Sequence, residues 1–158
     1  MIEMAIRNIV KVGDDVLTKK CRTVDKFDER IITLLEDMHD TLIESNGVGL
    51  AAPQVGVLKR IALVDTGEEI LELINPEIIS TDGSQTGYEG CLSYPGKFGE
   101  VTRPMTVTIK FQNRNGEWVT YTGEELTARA FCHEIEHLDG HMFMEKVTRW
   151  AEDDEFED

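Results

Sequence analysis

Between residues 28 and 45 the apolar side chains fall at Ile31, Leu34, Leu35, Met38 and Leu42, at spacings of three and four, with mostly polar residues between them. That spacing predicts one buried face of a helix, and Asn46-Gly47 supplies its stop. Beyond it the period shortens. Residues 60–65, 70–74 and 78–80 read as strands, and Met105, Val107, Ile109 and Phe111 alternate with Thr and Lys at period two. Asn113-Arg114-Asn115-Gly116 turns that strand into another over 118–121. A second helix is expected over 123–138, opened by Thr122 with Glu125 in a capping box and closed by Asp139-Gly140. A helix, then mostly strands, then a helix predicts an α+β fold with mixed or antiparallel sheets packed around the second helix.

Composition narrows the partners. The 158 residues carry 16 Lys+Arg against 31 Asp+Glu, a net charge of −15, with 41% hydrophobic residues. One domain over 1–158 is expected, since no repeat or linker divides the chain. The acidic excess disfavours nucleic acid and anionic membrane surfaces, which need Lys/Arg stripes. No apolar run approaches the roughly 20 residues of a spanning helix, and the opening residues lack a signal-peptide layout. A cytoplasmic protein is expected. Cys21, Cys91 and Cys132 are odd in number and widely spaced, as free thiols in a reducing compartment would be. Residues 151–158 hold six acidic side chains and one Phe, and read as a solvated, disordered tail.

The sharpest chemistry is His133-Glu134-Ile135-Glu136-His137 inside the second helix. Two imidazoles four apart on a helix point the same way and can bind one ion, and Glu134 lies beside them as a general base would. A catalytic metal site needs a third protein ligand and an open position. The metzincin proteases place a His where this chain has Phe143, and His141 lies past the expected helix end. Cys91 is better placed, with Gly90 before it allowing close backbone approach and Pro95 after it ending ladder pairing. A thiolate with two imidazoles suits divalent iron, zinc, nickel or cobalt. Cys21 and Cys132 read as buried, inert thiols. The stretch Gly47-Val48-Gly49-Leu50-Ala51-Ala52-Pro53-Gln54 offers a thin backbone that a peptide can pair with, ending in an amide donor.

Together and in this order, the Gly47–Gln54 stretch, Glu89-Gly90-Cys91-Leu92-Ser93 and His133-Glu134-Ile135-Glu136-His137 resemble the three signature motifs of the peptide deformylase family. Asn75-Pro76, Val101-Thr102-Arg103-Pro104 and Leu138-Asp139-Gly140 match as well, so the resemblance covers nearly the whole chain. It implies removal of the formyl group from formyl-methionyl nascent polypeptides with release of formate. By the same resemblance Cys91, His133 and His137 bind one metal, usually Fe2+, with Zn2+, Ni2+ or Co2+ able to replace it. Glu134 is then the general acid/base, and Gln54 with the Leu92 amide forms the oxyanion hole. Val48, Gly49 and Gly90 would pair with the substrate backbone, and Leu126 and Ala130 would line the methionine pocket.

The chain departs from the family at Glu136, where Asp is usual, and at Lys97-Phe98, where many members have a basic residue. An ion pair between Glu89 and Arg103 is expected to support the Cys91 loop. With an acidic tail in place of the basic helix some members use at the ribosome, only transient ribosome proximity is expected. Two other readings use the same ligands: a zinc metallopeptidase cleaving internal bonds, and a metal- or peptide-binding module that does not need Glu134.

Overall fold

The computed structural model describes residues 5–152. Helix α1 spans Glu29–Ser45, with the Asp28 carboxylate accepting from the Arg30 and Ile31 amides at its start and Asn46 at φ 56° at its end. The predicted apolar stripe is its buried face: Ile31, Leu34, Leu35, Met38 and Leu42. The strands follow as β1 (Gly49–Ala51), β2 (Ile61–Asp65), β3 (Ile70–Asp82), β4 (Gln85–Cys91), β5 (Tyr94–Arg103), β6 (Thr106–Gln112) and β7 (Trp118–Glu124). Helix α2, Leu126–Leu138, and the short β8, Arg149–Trp150, complete the order.

Two sheets result, β1-β2-β3-β6-β7 and β4-β5-β8, and every strand pairing in them is antiparallel. Of the two expected arrangements, mixed or antiparallel, the chain adopts the second. Period-two alternation explains how α1 and α2 share the larger sheet. Ile61 and Leu63 of β2 pack with α1, whereas Val64 packs with Leu73, Ile109 and Phe131 on the α2 side. All of β2 except Asp65 is therefore buried, and α2 lies enclosed, with residues 128–135 nearly inaccessible. None of the helices described is long and apolar enough to cross a membrane.

Three local expectations are corrected. Residues 70–74 and 78–80 are parts of one strand, β3, whose register shifts between Ile74 and Glu77 and again between Ile78 and Ser80. Asn75 turns left-handed there at φ 54°, and its side chain bonds both the N–H and the C=O of Val24, so the Asn-Pro step bends the strand without ending it. The Thr122–Glu125 capping box does not form. Pairing with β6 keeps the chain extended as far as Glu124, the Thr122 hydroxyl meets that of Thr108 across the strands, and Glu125 precedes the helix at φ 53° with no side-chain cap. Pro95 does not end the ladder: it lies inside β5, where residues 95–98 bulge against Gly90 alone, so its missing N–H leaves no gap. In the expected tail, Ala151 donates its amide to the Phe98 carbonyl, and residues 153–158 lie outside the described residues.

Glu72 of β3 ties α1 to the β6–β7 turn, accepting from His39 at 2.8 Å and from both Nε and Nη2 of Arg114 at 2.9 and 2.6 Å. Burial works to raise its pKa, but the hydrogen bonds from His39 and Arg114 and their charges outweigh it and hold the group at about 2, below the ordinary 4.5. A carboxylate depressed in the folded state adds stability above its unfolded pKa and loses it as pH falls through the folded one. Glu72→Gln is therefore expected to cost about 2 kcal/mol at pH 7, the scale of hydrogen bonds to a charged group. Thermal melts of the two proteins should converge between pH 4.5 and about 2, and parallel curves across that window would contradict this account.

Candidate metal centre

Strand β4 delivers Cys91 at its last position, and Leu92-Ser93 turns tightly into β5, where Tyr94 pairs with Cys91. Helix α2 brings His133 and His137 to the same point from the other side, one turn apart, both buried. The Cys91 sulfur lies 3.4 Å from His137 Nε2, and one ligand atom from each of the three residues falls within 4.8 Å of the others. The three predicted ligands are thus brought together from segments far apart in the chain. They form the one such Cys/His/carboxylate cluster among the described residues.

Gln54 sits in a short 3-10 turn after β1, almost fully buried. Its Oε1 accepts the Ala51 amide at 2.9 Å, which fixes the flip of the group and aims Nε2 at Ser93 Oγ, 3.2 Å away, and at Cys91 Sγ, 3.5 Å away. The segment before α1 straps this region, Val10 donating to the Gln54 carbonyl and Val12 to the Ser93 carbonyl.

Behind His133 lies a charged cluster. Glu89 Oε1 pairs with His133 Nδ1 at 3.0 Å and with Arg103 Nη2 at 3.0 Å. Its Oε2 takes Arg103 Nε at 2.9 Å and Arg129 Nη1 at 2.6 Å. The expected Glu89–Arg103 pair is present and buried. Glu136, the longer residue at the usual Asp position, accepts Arg103 Nη1 on both oxygens, at 2.8 and 2.7 Å, so the extra methylene keeps a contact with the same arginine. With Nδ1 on Glu89, His133 is left with Nε2 to offer a ligand. The Phe143 ring stacks on His133 with centroids 5.6 Å apart.

The charges favour a cation at this point. Burial tends to raise the Glu89 pKa, yet the hydrogen bonds from His133 and Arg103 and their charges hold it at about 2. Burial alone would lower His133, but Glu134, Cys91 and Glu89 together push it up to about 10. His137 is driven well below its ordinary value by burial and then by the charges of His133 and Arg103. Burial also raises Glu134 to about 7, with the Glu89 charge adding to it and those of His133 and Arg103 opposing. Burial pushes the Cys132 and Cys21 thiols up to about 11, as expected of inert thiols. Two buried side-chain atoms lack a hydrogen-bond partner among the described residues, Glu134 Oε1 and His137 Nδ1. An unmatched buried carboxylate oxygen beside a Cys/His/His cluster suits a site that takes a ligand.

A cavity of about 490 Å³ opens onto Cys91, His133 and Glu134. Gln54 and Leu92 line it on one side, and Val48 and Gly49 of the β1 segment on another. Gly90, Leu126 and Ala130 complete the predicted set, and Lys97 and Phe98 stand at its rim. Gly49 has a second role that its sequence does not announce: a Cβ there would fall 2.5 Å from Glu134 Oε2, so only glycine lets β1 pack against that carboxylate. Arg129, Ser93 and the stacking of Phe143 also escaped sequence reasoning. An arginine four positions before His133 on an otherwise apolar helix face was the available signal for the first. His141 lies outside the cluster, exposed and paired with Glu145. With Phe143 packed where the metzincin pattern needs a ligand, the internal metallopeptidase reading is not favoured.

The family model described as polypeptide deformylase matches residues 6–153. A peptide deformylase of Acetivibrio thermocellus is 54% identical over 154 residues, covering 98% of this chain and 91% of that protein. The crystal structure of the Thermotoga maritima peptide deformylase aligns with TM-score 0.88 at 40% identity, over 90% of this chain and 98% of that one. A class I type b peptide deformylase of Acinetobacter baumannii with Met-Ala-Ser bound aligns with TM-score 0.86 at 31% identity, over 92% of this chain and all (100%) of that one. Similarity of this extent, over the same residues that build the cavity and the Cys/His/His cluster, makes the chain a member of the polypeptide deformylase family.

Proposed function

We propose that the protein removes the formyl group from formyl-methionyl nascent polypeptides, releasing formate, with Cys91, His133 and His137 holding one divalent metal ion. The observation that supports this best is the convergence of those three donors with the unmatched Glu134 carboxylate at one end of a peptide-sized cavity. The donor set fits such an ion: one soft thiolate, two imidazoles, and a surrounding negative field that already raises His133 to about 10. Bound there, the ion would polarise the formyl oxygen and acidify a water toward neutrality.

The chain's own groups do the rest. Glu134, held near 7 by burial, takes the proton of the attacking water and delivers it to the leaving amine nitrogen as the C–N bond breaks. Water oxygen joins the formyl carbon, and the products are formate and a free N-terminus. Gln54 Nε2 and the Leu92 amide donate to the developing oxyanion, donors each worth about 3 kcal/mol. Strands β1 and β4 are edge strands of their sheets and both border the cavity, so Val48, Gly49 and Gly90 offer backbone groups to an extended peptide. Leu126 and Ala130 receive the first side chain.

Ferrous iron is the proposed ion, on the family resemblance. The substrate places the enzyme in the cytoplasm near translating ribosomes, and a net charge of −15 favours transient encounters there over binding to ribosomal RNA.

Protein purified without air should release formate from formyl-Met-Ala-Ser, and Glu134→Ala should lose at least about a hundredfold in kcat while keeping its metal. Failure of the wild type to turn over with a full complement of metal would overturn the reading. Activity should decay in air and be preserved by exchange to nickel, whereas an air-stable native enzyme would point to zinc. Arg103→Ala removes one of the two arginines on the buried Glu89 and the bidentate partner of Glu136, and is expected to cost about 3 kcal/mol of stability. It should also weaken metal affinity about 10–100-fold. Unchanged melting and metal content in that variant would show that the pair does not support the site.

A further inference from the structure

Resting on the deformylase reading, the inference concerns which first residue the pocket accepts. Leu126, Arg129, Ala130 and His133 recur at spacings of three and four on α2 and all line the cavity, forming one wall from its mouth to the metal ligands. Leu126 is 59% exposed at the mouth, while Ala130 and Arg129 are buried deeper. Between the mouth and the metal ligand His133, that wall would be apolar were it not for Arg129. Its Nη1 is engaged three times, by Glu89 Oε2 at 2.6 Å, by the Val101 carbonyl at 3.1 Å and by that of Gly87 at 3.5 Å. Those bonds hold the guanidinium plane in place. Nη2 makes no hydrogen bond among the described residues, and it is not among the buried atoms sealed from solvent without a partner. Nη2 is therefore a fixed donor not fully sealed from solvent, on a residue that lines the cavity. Gly87 lies beside it, a Cβ there standing 3.5 Å from Nη2 in ordinary contact.

A thioether sulfur is a weak acceptor, and the sulfoxide oxygen of oxidised methionine is a strong one on a chain of the same length. We infer that Arg129 makes this a hydrogen-bonding pocket, so that the enzyme deformylates peptides beginning with formyl-methionine sulfoxide as well as formyl-methionine. Arg129 is here a specificity-determining residue, distinct from its hold on Glu89, which acts on both substrates alike.

The test compares kcat/KM for formyl-Met-Ala-Ser and its sulfoxide in the holoenzyme and in Arg129→Met and Arg129→Lys. The wild type is expected to process the sulfoxide within about tenfold of the thioether, and Arg129→Met to lower the sulfoxide-to-thioether ratio by about tenfold or more. Arg129→Lys, which keeps a donor, should fall between. Because each ratio is taken within one protein, a general loss through Glu89 cancels. If a variant is inactive, competition by Met-Ala-Ser and its sulfoxide for the wild-type and variant cavities reads the same ratio as relative affinity. A wild type that rejects the sulfoxide by a hundredfold, or a ratio that Arg129→Met leaves unchanged, overturns the inference. Absence of turnover on formyl-Met-Ala-Ser would instead overturn the deformylase reading, and the two product peptides would still decide the pocket by their relative affinity.

Discussion

A single buried carboxylate organises this molecule. Glu89 accepts four close hydrogen bonds, from two arginines and one histidine, and through them it joins β4, the end of β5 and the middle of α2. Desolvating a charge in this way is costly, and only complete satisfaction of its lone pairs makes it tolerable. The return is geometric. The pairing leaves one His133 nitrogen for a ligand, Arg103 carries the constraint on to Glu136 one helical turn from Cys132, and Arg129 is fixed at the wall of the cavity. The smaller sheet is held to α2 by this cluster much as the larger sheet is held to it by apolar packing.

The two sheets then meet the helix with an edge each. β1 brings Gly49 against Glu134, and β4 brings Cys91 against the histidines, so the reactive groups stand where two unpaired strand edges approach one helix. An extended peptide entering that gap finds backbone on both sides and charge at its end. The strap from Val10 and Val12 fixes the Gln54 and Ser93 carbonyls, and so sets the separation of those edges.

Much of this was legible in the residues, and the failures have a common cause. Helix α1 buries one stripe, β6 and β7 alternate, and β2 is a short apolar run buried on both faces, so their patterns find them. Strands β4 and β5 do not, because their glycines answer to tertiary crowding: a Cβ at Gly90 would meet Phe98 at 2.7 Å and one at Gly99 would meet Val147 at 2.5 Å. Read locally, such glycines and Pro95 look like turns. Thr122 and Glu125 make the reverse point, since a valid capping pattern yields to seven paired positions of strand. The metal cluster was legible because its spacing is local on α2 and its third member is a rare residue type. Arg129 was not, because its significance depends on where Glu89 and Gly87 lie in space.

The spread of the ligands along the chain also orders the protein's own synthesis. Cys91 leaves the ribosome 46 positions ahead of His137. Until α2 follows, Glu89 has neither Arg129 nor His133, and the Cys91 sulfur has no imidazole beside it. A chain ending before α2 thus holds Cys91 alone, and the three donors come together only once α2 is in place.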